Sequence, residues 1–223
     1  MTGLARIATL TAAATFAVAT VGVADLAAQA WAYPSFQQPR VVEREFNFAV
    51  ADAAGTSLIF QWREGISARS QWGLDVGFAD RDGDEGDGVL ILGGSFAYQL
   101  TQARDDMPLD FLLTTGLGIG ITDPGNTMRI PVGVSIGHEF ELDQGMALTP
   151  YIHPRLSIDY CGDCGPDNDS ETELGVDFDI GLNFRVNQTL ALRFSALFGG
   201  SELFGNKDGI GLSLAWTPLG LTR

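Results

Sequence analysis

The chain has 223 residues, 45% hydrophobic, with 28 glycines and 13 Lys+Arg against 28 Asp+Glu, a net charge of −15. That length suits one domain, with ample apolar material for a core or a lipid-facing surface. The acidity excludes nucleic acid as a partner, because no basic stripe is available to neutralise phosphates.

Residues 1–30, "MTGLARIATLTAAATFAVATVGVADLAAQA", carry one early Arg, a long Ala/Val/Leu/Thr stretch and a small-x-small ending. This predicts a secretory signal peptide cleaved after Ala30. Asp25 keeps the run short of the ~20 apolar residues that a spanning helix needs. Residues 31–40 then read as an N-terminal extension.

From residue 41 onward the dominant period is two. Phe46, Phe48 and Val50 alternate with Glu43, Glu45 and Asn47. Leu58, Phe60 and Trp62 follow, then Trp72, Leu74, Val76 and Phe78. The pattern continues through Leu90–Leu100, Ile130–Phe140, Leu148–Tyr160, Leu174–Val186, Leu190–Phe198 and Ile210–Trp216. Such alternation marks strands and not helices. Ten strands are expected, at 41–52, 56–64, 68–79, 88–100, 107–121, 127–140, 146–160, 172–186, 189–199 and 208–217, with eight as the alternative. Most exceed the ~5–6 residues of globular sheets and match the ~9–11 of a tilted membrane-crossing strand. The expectation is an all-β protein with one antiparallel transmembrane barrel over 41–217 and a tail at 218–223.

The three longest connections alternate with shorter ones, so they gather at one end. Outer-membrane barrels place long loops outside and both termini in the periplasm. Outward-parity aromatics fall at strand ends: Phe46, Trp62, Trp72, Tyr98, Phe111, Phe140, Phe184 and Trp216 near the lower edge, and Phe78, Tyr160 and Phe198 near the upper. Amphipathic aromatics collect at the two interfaces of a bilayer.

In "TTGLGIGI" the apolar Leu117, Ile119 and Ile121 alternate with Gly116, Gly118 and Gly120. A narrow barrel needs small inward side chains, which places the glycines in the lumen. A phosphate-cradling loop is excluded by the missing G-x-G-x-x-G spacing and by the turn that follows. Inward parity also collects charge: Glu43, Glu45, Arg63, Arg69, Asp75, Asp110, Arg129, Glu139, Arg155, Asp159, Glu173, Asp177, Asp179, Arg185 and Arg193. These predict Arg–carboxylate pairs filling the lumen, since charges away from bulk water need partners. The alternative is a narrow pore that prefers cations.

Three local motifs remain. Asp80, Asp82 and Asp84, with Asp87 beside them, have the spacing that begins a calcium loop, but Glu85 replaces the turn glycine and Ile91 the bidentate Glu. No cofactor is implied beyond this Ca²⁺ candidate. Cys161 and Cys164 form CGDC, expected as a local disulfide in an oxidising compartment. His138 has outward parity and His153 inward, both in the lower half; Ser135 points away from His138. That placement speaks against a triad and against enzymatic work.

The architecture resembles small bacterial outer-membrane β-barrels of the opacity and OmpA type, over nearly the whole mature chain. The resemblance implies a monomer in contact with outer-membrane lipids and inserted by the barrel assembly machinery. It further implies a structural or surface-interaction role, with surface protease or lipid-modifying activity as lesser alternatives. Ten-stranded outer-membrane proteases set an Asp-His pair at the external mouth, where neither histidine of this chain is expected. Such barrels usually end on an aromatic, whereas Trp216 is followed by "TPLGLTR".

Overall fold

The structure, a computed structural model, describes residues 35–53, 55–80, 88–104, 107–122, 125–162, 169–201, 203, 205–206 and 208–218. The segment expected to be a signal peptide, Cys164, Asp82, Asp84, Asp87 and residues 219–223 lie outside these. Ten long strands are β1 (Arg44–Asp52), β2 (Thr56–Ser67), β3 (Ser70–Ala79), β4 (Val89–Thr101), β5 (Asp110–Ile121), β6 (Asn126–Gly137), β8 (Ala147–Gly162), β9 (Glu171–Arg185), β10 (Leu190–Ser201) and β12 (Gly209–Trp216). Two short arms, β7 (Phe140–Glu141) and β11 (Gly205–Asn206), pair only with β8 and β10.

Each long strand pairs antiparallel with the next, and β12 returns to β1 through Phe46↔Trp216 and Phe48↔Leu214. The sheet is therefore a closed ten-stranded barrel, which leaves no long edge unpaired. Both strand termini, Arg44 and Trp216, lie at one end, here called the terminus end.

The alternation sorts the side chains as the sequence predicts. At least one apolar residue of every long strand (Phe48, Leu58, Leu74, Leu92, Leu117, Val132, Leu156, Val176, Leu192 and Leu212 among them) faces outward and is at least 36% exposed. Soluble monomers rarely expose contiguous apolar patches beyond ~300–600 Å², whereas this belt encircles the molecule. Hydrocarbon is the solvent that such a surface fits. A slip of one residue in any register would exchange belt and lumen, so the pattern itself pins the pairing.

The aromatic rim is continuous where strands meet in register. Phe46 stacks on Trp216 at 5.6 Å and on Trp62 at 6.2 Å, and Trp62 meets Trp72 edge-on at 4.8 Å. Phe140, Tyr98, Phe78, Tyr160 and Phe198 are exposed, and Phe111 and Phe184 half-buried, all facing outward.

Two expectations need correction. The connections at the terminus end are not uniformly short: 102–109 is as long as the opposite 163–170. Strand β5 starts at Asp110 because Met107 pairs back with Arg104 and Pro108 has no N–H for the ladder. Strand β6 is interrupted only at His138–Glu139, after which Phe140–Glu141 resumes the same register against Ala147–Leu148, so the expected strand to Phe140 holds. The inward face is also less polar than the alternation implies, since Ile59, Val89, Ile91, Leu112 and Leu197 are buried there.

Candidate functional site in the lumen

The inward residues form three groups. On the β10–β12–β1–β2 wall, Glu45 takes a bidentate pair from Arg193 (2.8 and 2.5 Å) and a third contact from Arg63 at 3.3 Å. Beside it Asn47 donates to Gln61, which donates on to Asp75 at 2.8 Å. Arg193 also donates to Asn183 at 2.8 Å.

The β5–β6–β8–β9 wall holds the second group. Arg129 grips Asp159 through two 2.7 Å bonds and reaches Asp177 at 3.1 Å. Arg155 forks onto Asp179 with two bonds of 2.6 Å and contacts His153 Nδ1 at 2.9 Å. A guanidinium only donates, so Nδ1 accepts and the Nε2–H is the donor to Thr114, 2.8 Å away. The planar fork of Arg is what lets carboxylates one strand away be held in this manner.

The third group sits at the terminus-end mouth. Arg40 contacts Glu139 at 2.8 Å and Asp110 at 3.3 Å, and Arg185 contacts Glu139 at 3.4 Å. A cavity of about 430 Å³ opens here between Arg40, Glu43, Glu139 and Arg185. Glu43 is exposed at this mouth. Glu173 lies toward the other end and accepts the Leu203 N–H at 2.8 Å.

Arg69 does not belong to the lumen. It occupies the β2–β3 turn, where the alternation lapses, is exposed, and donates to the Gln99 and Leu100 carbonyls with its guanidinium 5.3 Å from the Tyr98 ring. Asp80 is exposed just beyond β3, and the other three calcium candidates lie outside the described residues. Cys161 is buried at the end of β8. His138 packs against Phe140 at 4.6 Å on the outer rim.

The residues that sequence reasoning missed lie ahead of β1. Ser35, Phe36 and Gln37 are at most 2% exposed: this segment is inside the barrel. The Ser35 carbonyl accepts from Arg63 (2.9 Å) and Gln61 (3.3 Å), and the Phe36 carbonyl from Arg63 and Arg193, both at 3.4 Å. Ser135 donates to the Gln37 carbonyl at 2.6 Å, and Gln99 to that of Pro39 at 2.9 Å. Val41 and Val42 then donate their N–H groups to Gln99 and Gln71 as the chain turns into β1.

The Phe36 ring packs with Ala49, Ala51, Ile59 and Leu197. It lies so close to Gly211 that a Cβ there would come within 2.5 Å of the ring. Phe36 itself has φ 53°, a left-handed backbone that costs a non-glycine residue ~1–3 kcal/mol and persists only where surroundings over-determine it. The one legible signal was the small inward parity of Ala49, Ala51 and Gly211, which announces a space without naming its occupant.

A closed antiparallel barrel, apolar outside and charge-filled inside, is the class that this fold defines. No protein-family model and no curated protein matches the sequence. Among solved structures the chain is similar to a bacterial polysaccharide outer membrane secretin (9% identity, 80% of this chain and 67% of that one, TM-score 0.45). It is also similar to the KdgM porin (7% identity, 78% and 99%, TM-score 0.41). A third is the N-terminal β-barrel domain of Pseudomonas aeruginosa OprF (8% identity, 78% and 95%, TM-score 0.35). Likenesses of this size assign no function, and the barrel assignment rests on the strand pairing above.

Proposed function

We propose that the protein is a bacterial outer-membrane barrel, closed to solutes as it stands, with a structural or surface-interaction role. The observation that carries this reading is the occupied lumen. Arg63, Arg129, Arg155 and Arg193 are each bound to a buried carboxylate, and the Ser35–Arg40 segment crosses the space between the walls. The apolar belt and the aromatic rims support a bilayer location, with both termini on the periplasmic side. A closed cylinder that contacts lipid as a monomer, seated by the barrel assembly machinery, fits the same surface. The full burial of His153 and its engagement by Arg155 and Thr114 speak against hydrolytic chemistry in the lumen. Cys161 and Cys164 are proposed to form a disulfide at the outer end of β8, checked by the loss of two hydrogens in the intact mass.

The test is conductance. Intact, refolded protein inserted into planar bilayers is expected to leave the membrane silent in potassium chloride. Steady single-channel steps from the intact chain would overturn the closed reading in favour of a narrow pore.

A further inference from the structure

We infer that Ser35–Arg40 is a removable plug, and that the lumen it closes is a latent passage preferring small cations. This rests on the reading of the intact barrel as closed, and adds what closes it. The wall charges pair sideways: Glu45 with Arg193 and Arg63, Arg129 with Asp159 and Asp177, Arg155 with Asp179. None of those pairs links the two walls across the axis. The segment does. Its carbonyls bind Arg63 on β2, Gln99 on β4, Ser135 on β6 and Arg193 on β10, and Arg40 reaches Asp110 on β5.

Six residues extended span at most about 20 Å, a large part of the ~25 Å apolar band of such barrels. On the β12–β1 side the wall opposite the ring is small, made of Ala49, Ala51 and Gly211. Phe36 is therefore what fills the cross-section there. Its attachment is of a kind that can be released. The backbone carbonyls of the segment take second or third bonds from arginines that keep Glu45 as partner. Withdrawal strands no charge of the Glu45 group, so the cost of breaking a buried ion pair falls on Asp110 alone, which keeps the Ala103 N–H at 2.9 Å and stands at the mouth that opening floods.

Charge decides the preference. Withdrawing the segment takes Arg40 away, which leaves Asp110 without its guanidinium and Glu139 with Arg185 alone. Toward the other end, Asp159 and Asp177 share the single Arg129. Both ends of the emptied lumen would carry more carboxylate than guanidinium, a field that concentrates cations.

The experiment compares the intact chain with three variants in planar bilayers: deletion of 35–40, Phe36→Ala and Gly211→Ala. Gly211→Ala keeps every charge and hydrogen bond but places a methyl where the ring rests. Folding is checked by heat-modifiable gel mobility. The deletion is expected to conduct continuously, with a reversal potential of cation-preferring sign under a potassium chloride gradient. The two point variants are expected to open in bursts, with an open probability about tenfold or more above the intact chain. A folded deletion variant as silent as the intact protein, or one that prefers anions, would overturn the proposal. Should the deletion not fold, folded Phe36→Ala and Gly211→Ala barrels without openings would overturn it equally. Conductance from the intact chain would instead defeat the closed reading itself, so the two failures are distinct.

Discussion

The two walls of the lumen are built from the same residue types to different effect. On the β5–β9 wall Arg129 and Arg155 face three aspartates, and every guanidinium finds its carboxylate within the barrel. On the β10–β2 wall Arg63 and Arg193 share Glu45, and carbonyls of the N-terminal segment supply further acceptors. The arginines of one wall are satisfied within the sheet, and those of the other are finished by a piece of chain from outside it. The difference shows that a filled lumen can be partly permanent and partly removable, according to whether the acceptors are covalently part of the barrel wall.

Four substitutions probe that contrast. The largest expected loss is Glu45→Gln, which takes the carboxylate from two buried arginines at once. Breaking a buried pair from one side costs about 3–5 kcal/mol, to be read from urea unfolding of the barrel in liposomes. A loss no greater than that of Asp177→Asn would erase the distinction between the walls.

Phe36→Ala comes next, at about 1–2 kcal/mol. A core Phe ordinarily costs ~3–5 kcal/mol, but a segment that can undock locally limits its own contribution. A full core-sized loss in the same titration would show the segment to be as permanent as the sheet.

Asp177→Asn is expected to cost about 1 kcal/mol, because Arg129 keeps both bonds to Asp159 and loses only the weaker contact. Equality with Glu45→Gln would again argue that the walls do not differ. Smallest of all is Glu64→Gln on the outer rim, where the partly exposed Arg44 forks onto Glu64 at 2.5 and 2.6 Å and Trp62 donates to it at 3.3 Å. Gln keeps an acceptor for both donors and Arg44 retains contact with water, so no charge is stranded and the unfolding midpoint should shift less than in Asp177→Asn.

How much could be read beforehand follows from range. The alternation in β8, where His153, Arg155, Ser157 and Asp159 all face inward, is a property of neighbouring residues and was visible directly. Partner choice was not. Arg193 and Glu45 are separated by 148 residues and meet only because β12 closes on β1. Arg69 and the start of β5 failed for a local reason: near a turn the period of two no longer sets direction, and Pro108 interrupts the ladder where hydropathy suggests a longer strand.

By itself the sequence determined an all-β chain of ten long strands, which side of each is greasy, and that the other side is small or ionic. Those facts follow from the pleat, which sends successive side chains to opposite faces whatever the rest of the molecule does. Only the tertiary structure decided that the cylinder is filled by its own N-terminal segment. Phe36 has no periodic neighbour to betray its place, and the hollow that receives it exists only once Ala49, Ala51, Ile59, Leu197 and Gly211 are gathered from four strands.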